Sequence, residues 1–309
     1  MARSLGRLLL VLLIGYSSCS TKKVIPSPTA FQSECLEGLE FGIEEEVFLA
    51  DSLLIREKLL AYVDEKTVEM AIALNLTSEL AEIVTKGIEP GQEQALKSKV
   101  MGSVLKMNLE LHSLMSAIDC EEEKSEQVAS FVERELRKKE RNLTVAAIVT
   151  GALVGVGTGI MLAANNSGND LPEYLGIAGG LTEVFLGLSI LRLDRKVMIQ
   201  HTKNILRDVY LSDSRPSYFP PAVWYYFNSQ NRNEAGISLK EQLVDRWNTF
   251  NSTDESLSLL ISNGGAYSPD MLKSRSEMLD QLESQIALIS KDLLYFLSRV
   301  EALIYPLKS

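Results

Sequence analysis

Histidine is almost missing from this chain: among 309 residues only His112 and His201 occur. They stand far apart and lack metal-ligating companions at helical spacing, so neither a His-based metal site nor a catalytic imidazole is expected. Zincin, nucleophile-elbow and Cys-paired zinc patterns are also absent, which removes the common hydrolase signatures. Cations are outnumbered, 31 Lys and Arg against 41 Asp and Glu, for a formal net charge of -10. Phosphate neutralisation needs a surplus of Lys and Arg on some face, so a nucleic-acid partner is not expected. No segment alternates apolar and polar residues as a half-buried strand would. The acidic runs at 44–46 and 121–123 read as solvated helix faces and receive no role. No catalytic residue, cofactor or metal is expected, and the chain reads as a non-enzyme.

Cysteine is scarce too, at three residues. Two basic residues, Arg3 and Arg7, precede the apolar run at 8–14, and small residues surround Cys19; this is the pattern of an export signal over 1–18, too short to remain as a membrane span. The end of that segment, "GYSSC", resembles the bacterial lipoprotein box, although Tyr16 departs from the aliphatic residue usual there. The resemblance implies lipidation of Cys19 by acyl chains such as palmitate, and attachment to a bacterial membrane. The competing reading is ordinary cleavage after Ser20, with Ser18 and Ser20 as the small pair. With Cys19 set aside, Cys35 and Cys120 remain as a candidate disulfide in an oxidising compartment. Residues 19–34, polar and with Pro26 and Pro28, read as a tether. Sequons at Asn75, Asn142 and Asn251 would matter only in a eukaryotic secretory route.

The long uncharged run is the most informative stretch. Residues 143–163 hold 21 residues without a charge, about 31 Å as a helix and so the thickness of bilayer hydrocarbon. Within it Ala147, Gly151, Gly155, Gly159 and Ala163 recur at four-residue steps. A Walker loop would need Lys and then Ser or Thr after the last glycine, and Ile160 stands there instead. A dinucleotide turn fails as well, for want of a preceding strand. The glycines therefore read as a small-residue face for close helix packing. The partner is the second apolar segment, 171–193, which carries Gly176, Gly180 and Gly187 on one face together with Glu183, a candidate buried acid that reads either as an ion, proton or oligomer contact or, the preferred reading, as a Glu bonded to a Thr hydroxyl or facing solvent. A basic stretch (Arg134, Arg137, Lys138, Lys139, Arg141) precedes the hairpin and Arg192, Arg195 and Lys196 follow it, while its turn carries Asp170 and Glu173. Export of the body would leave basic flanks outside and an acidic turn inside, against the positive-inside tendency. The hairpin then inserts from the exported side, packs within an oligomer, or is covered by the protein's own helices.

The rest of the chain reads as helix. Leu36, Leu39, Ile43, Val47, Ala50 and Leu54 keep a helical period, as do Leu96, Val100, Val104, Met107, Leu111, Leu114 and Ile118. A turn at "KGIEPGQE" folds these arms back, and a break near Asn75 would bring Cys35 and Cys120 to one end. Residues 121–142 read as a solvated helix running into the apolar stretch, and the second apolar segment reads as continuing helically through Val209. Six aromatics, Tyr218, Phe219, Trp224, Tyr225, Tyr226 and Phe227, form either a plug on the helical bundle or an interfacial belt. Ser238 with Glu241 spells a capping box, and Ser268 before Pro269 a helix start. Beyond it Leu272, Leu279, Ile286, Leu293 and Val300 share one heptad position and Leu282, Ile289, Phe296 and Leu303 the other, with Arg275 alone out of pattern.

The expected fold is all-α: long helices in antiparallel hairpins and a coiled-coil bundle around a central glycine-rich hydrophobic helical hairpin. Its regions are 1–18 signal, 19–34 tether, 35–142 N-terminal helices, 143–193 hairpin, and 194–309 C-terminal helices with a coiled-coil helix at 269–305. The expected function is that of a non-catalytic cell-envelope lipoprotein, a helical scaffold whose partners are membrane lipid and either a second copy or another envelope protein. The alternative is a membrane-perturbing protein, since long helices flanking an apolar hairpin resemble α-helical pore-forming toxins in outline.

Overall fold

A computed structural model of the protein describes residues 24–26, 35–42, 50–87, 91–163, 171–230, 236–250 and 254–305. Cys19, Asn251 and the acidic run at 44–46 lie outside the described residues. Helix dominates. In chain order the elements are β1 (Val24–Pro26), α1 (Ala50–Leu59), α2 (Glu65–Ala73), α3 (Thr77–Lys86), α4 (Glu93–Ala163), α5 (Leu171–Leu191), β2 (Lys196–Gln200), α6 (Ile205–Leu211), α7 (Pro221–Asn228), α8 (Leu239–Phe250), α9 (Asp254–Leu260), β3 (Gly264–Tyr267) and α10 (Pro269–Ile304). The chain divides into two compact units: Met1–Pro28 with Ala129–Ile199 and Ala266–Pro269, and Thr29–Val128 with Gln200–Gly265 and Asp270–Ser309.

The second unit is a helical body with a conventional core. Helix α10 buries its heptad positions in it, from Leu272 through Leu279, Leu282, Ile286, Ile289, Leu293 and Phe296 to Val300, while Leu303 is half-buried. Arg275, the residue out of pattern, is 1% exposed and occupies a core position as an ion: its guanidinium meets Glu121 Oε2 at 3.4 Å and donates to Asn204 Oδ1 at 2.9 Å. This corrects the reading of 121–123 as a solvated face, because Glu121 is buried. Ser125 and Val128 follow it inward one and two turns later, so solvation of this helix is confined to the other side. The capping box at α8 forms as expected, with Glu241 N–H donating to Ser238 Oγ at 3.0 Å and Ser238 N–H to Glu241 Oε2 at 2.7 Å. Asp64 caps α2 by accepting from Thr67 N–H at 3.0 Å.

The expected break near Asn75 is present, with Asn75 at φ 54° between α2 and α3. Cys35 and Cys120 are joined as a disulfide with Cα atoms 5.7 Å apart, linking positions 85 residues apart in sequence. The arm carrying Cys35 is not helical at its start, however. Residues 35–38 form a turn and 39–42 an irregular segment, because Gly38 sits at φ 81°, a left-handed conformation that ends helical propagation. The 3.6-residue period of Leu36 and Leu39 is therefore a coincidence of composition.

The first unit departs further from an all-helical reading. Helix α5 stops at Leu191, and the segment expected to continue to Val209 instead forms strand β2, "KVMIQ". The expected absence of strands is thus corrected by a three-stranded sheet of order β1-β2-β3. Strand β1 lies inside the expected tether and pairs in parallel with β2, Val24 against Lys196, Ile25 against Val197 and Pro26 against Met198. Strands of three to five residues are too short to show alternation, and Pro26 removes a donor from β1. Long-range pairing, not local pattern, creates this sheet.

Candidate functional site

The apolar run is helical throughout: it forms the last part of α4, and α5 returns beside it. Both helices are long and apolar enough to cross a membrane, and in the stretches that qualify 0% and 6% of residues are buried by protein. Sixteen large apolar side chains of 143–191 lie uncovered, among them Leu153, Ile160, Ile177, Leu181 and Leu191. The described residues therefore do not cover this hairpin as a core. An apolar patch of this extent is rare on the surface of a monomeric soluble protein.

Two close approaches fix how the helices meet. A Cβ added at Gly151 would run into the Glu183 carboxyl, and one at Gly179 would lie 2.5 Å from Val154 Cγ1. Three residues forward on α4 thus correspond to four residues back on α5, an antiparallel register that places Leu143 level with Leu191. The face of α4 that is half-covered comprises Leu143, Ala147, Thr150, Gly151, Val154, Gly157 and Thr158, which alternates steps of three and four as a helix-helix seam must. The strict four-residue stripe does not follow that seam. At 100° per residue each step of four advances the stripe by about 40°, so Gly155, Gly159 and Ala163 rotate away from α5. Space around Gly155, Gly159, Gly176, Gly180 and Gly187 is open within 4 Å. Packing inside the hairpin therefore runs through Gly151 and Gly179, and the expectation that Gly155 and Gly159 contact α5 is corrected. Gly179, not singled out by the sequence reading, is legible only once the register is known.

Of the readings open for Glu183, the side chain is found exposed and not as a buried acid. Among the described residues it makes no hydrogen bond, and its carboxyl lies against the backbone at Gly151. Three hydroxyls of the hairpin bond within their own helices: Thr158 donates to Val154 O at 2.8 Å, Thr182 to Ala178 O at 2.8 Å and Ser189 to Phe185 O at 2.7 Å. This satisfaction of hydroxyls by their own helix suits an apolar medium. Were the hairpin to lie in a bilayer, a carboxyl near its middle would cost roughly 2.5–3.5 kcal/mol. Each uncovered Leu, Ile, Val or Phe returns about 0.3–0.6 kcal/mol, so a dozen of them offset one acid.

A basic collar marks the open end of the hairpin. Arg134, Arg137, Lys138 and Arg141 lie on one face of α4 and line a shallow cleft with Glu140, Thr144 and Val145. Arg137 pairs with Glu133 at 3.3 Å; Arg134, Lys138 and Arg141 are exposed. Arg192, also exposed, follows α5. The acidic Glu173 stands at the opposite end, in the first turn of α5.

The other candidates resolve as structure. The aromatic cluster is the plug: Tyr218, Phe219, Trp224, Tyr226 and Phe227 are buried, with Phe219 and Trp224 edge to face at 4.9 Å. Its hydroxyls reach carboxylates, Tyr218 to Asp208 at 2.5 Å, Tyr225 to Glu69 at 2.9 Å and Tyr226 to Asp292 at 3.0 Å. Burial and those anionic acceptors push the Tyr218 and Tyr225 phenols well above their ordinary range. Buried Glu69, which nothing in the sequence flagged, also accepts from Arg56 at 3.0 Å and Ser229 at 2.9 Å. Burial, then the Arg275 and Lys124 charges, lower His201 to about 3 and keep its imidazole neutral. Asp119, Glu122 and Glu283 bring carboxylate oxygens within 4.8 Å of one another; burial and the neighbouring carboxylates raise Glu122 and Glu283. No family model, curated protein or solved structure matches the chain.

Proposed function

We propose that this protein is a non-catalytic lipoprotein of a bacterial cell envelope, a helical scaffold held to membrane by acylated Cys19 and by the hairpin of α4 and α5. The observation that carries the reading is the uncovered hairpin, apolar over the length of a bilayer and with its large apolar side chains exposed. Two further features agree with it. The Cys35–Cys120 bond suits an oxidising compartment, and the "SSC" sequence precedes a short segment that joins the folded unit at β1. The helical body, with its polar networks turned inward, serves as the part that meets other envelope proteins, and the open glycine edge at Gly155 and Gly159 leaves room for a second copy's helix.

The same hairpin fits a pore-forming protein, and acylation separates the two readings because an anchored chain cannot diffuse to a target cell. Intact-mass measurement of the mature protein decides: an N-terminal Cys19 carrying acyl chains is expected. A mature start at Thr21 without acyl mass, together with dye release from vesicles by the purified protein, would replace the scaffold with the pore former.

A further inference from the structure

Parallel pairing of β1 with β2 has a topological consequence for how the chain meets a bilayer. Val24 lies opposite Lys196, so both strands begin at the same end of the sheet, about 5 Å apart. Five residues before Val24 stands Cys19; five residues before Lys196 stands Leu191, the end of α5. Neither connection can exceed about 17 Å even when fully extended. Leu191 is level with Leu143, so both membrane ends of the hairpin stand on the side where the connection to the sheet begins, and chain length alone keeps Cys19 within the same short reach of β1. The collar falls in register with that side. Arg141 and Arg137 precede Leu143 by two and six residues, about 3 and 9 Å along a helix, which is the depth of a headgroup layer.

We infer that acylated Cys19 and the α4–α5 hairpin enter one and the same bilayer from its exported face, and that Arg134, Lys138, Arg141 and Arg192 bind the anionic phospholipid headgroups of that face. The inference rests on the proposed envelope-lipoprotein reading and specifies its lipid and its geometry. Charge complementarity selects the occupant: the collar is cationic and three of its α4 members carry no ion pair among the described residues, whereas the chain as a whole is acidic. A protein partner covering the hairpin would not require cations confined to its two open ends. The charge order also runs against stop-transfer insertion during export, which favours cations on the cytoplasmic side; the hairpin inserts after the body has crossed, carrying the acidic Glu173 end to the far surface.

The test uses the full mature chain with Cys19→Ser, so that lipid cannot contribute, mixed with phosphatidylcholine vesicles with or without about one third phosphatidylglycerol. Flotation should recover the chain with anionic vesicles and far less with neutral ones. Replacing Arg134, Lys138 and Arg141 by Gln should cost about fivefold in partitioning per charge, on the order of a hundredfold together, with an unchanged circular dichroism spectrum because all three side chains are exposed. A fluorophore at Glu173→Cys should escape an impermeant quencher added outside the vesicles, while one at Asp194→Cys is quenched. Binding that ignores lipid charge, or equal quenching at both positions, overturns the inference. Failure of the Cys19→Ser chain to float, while the acylated protein stays in membranes, overturns it and leaves the lipoprotein reading standing. A soluble oligomer whose hairpin is protected without lipid overturns it in favour of self-association.

Discussion

Removing the charge of Glu121 should be among the most damaging single changes outside the hydrophobic core. Arg275 is 1% exposed, and among the described residues its guanidinium has two partners, Glu121 at 3.4 Å and Asn204 at 2.9 Å. Asn204 cannot compensate, since its amide group already donates to Leu260 O at 2.9 Å and Ser262 O at 2.7 Å and its single oxygen is the acceptor in use. Glu121→Gln therefore leaves a buried cation facing neutral acceptors. Breaking a buried pair in this way costs about 3–5 kcal/mol, and the long 3.4 Å contact places the expectation at the lower end, about 3 kcal/mol. For a unit of this size that lowers the melting temperature by roughly 6–12 °C. The double variant Glu121→Met with Arg275→Met restores the heptad pattern of α10 and removes both charges together. It should recover most of the loss, because exchanging a buried pair for apolar groups is often close to neutral. Thermal unfolding followed by circular dichroism gives all three values. A Glu121→Gln variant within about 1 kcal/mol of the parent would show that water screens the pair and that Arg275 is not a core ion.

The His201 imidazole titrates near 3 in the folded chain against 6.5 in the unfolded one, so the unfolded state takes up the proton first and stability falls as pH drops from about 6.5 towards 3. The slope from this group reaches about 1.4 kcal/mol per pH unit, and His201→Gln should flatten it in pH-dependent urea titrations. Reduction of the Cys35–Cys120 bond frees a loop of 85 residues and should destabilise by about 4.5 kcal/mol in the chain-entropy account, read as a shift in the urea midpoint; no shift would mean that the reduced, unfolded chain keeps the two ends together. Gly179→Leu should splay the hairpin, because its added carbons meet the short branched side chain of Val154, whereas Gly151→Leu meets only the tip of the exposed Glu183 side chain, which can swing aside, and Gly155→Leu meets open space; these last two should leave the hairpin intact, as judged by crosslinking across the seam in detergent. Glu283→Gln should raise the melting temperature at neutral pH by relieving repulsion with Asp119 and Asp280, and the gain should vanish in acid, where the native carboxyl is itself protonated.

Legibility in the sequence followed the range of the interactions involved. Local signals succeeded: the Ser238 and Glu241 capping box, the Pro269 start, the heptads of α10 and the unbroken helix through 121–163 all depend on residues a few positions apart. The disulfide was legible by parity, since setting Cys19 aside leaves one pair. What failed depended on distant partners. Strand β1 exists because β2 lies beside it, some 170 residues later, and three residues including a proline carry no strand signal of their own. Glu121 looked like one acid in a run until Arg275 was placed opposite it, although an Arg on a heptad seam was itself a hint that a buried anion must exist. The glycine stripe misled for a geometric reason, because a step of four departs from the helical repeat by 40° each time and leaves the seam within two steps. Exposure of Glu183 and of the hairpin's apolar faces was not decidable in sequence, as the same composition would serve a buried core.

Membrane attachment through two independent elements is the central claim, and partition of the protein expressed in a bacterial cell, with alkaline extraction of the membranes, tests it most directly. Leu153→Arg with Leu181→Arg places charges on two of the most exposed apolar positions of the hairpin and should remove about 6 kcal/mol from insertion. Cys19→Ser alone and the double arginine variant alone should each remain in the extracted membranes, held by the other element, and the three changes combined should release the protein to the soluble fraction. Complete release by Cys19→Ser alone, or retention of the triple variant in the membranes, would contradict the account.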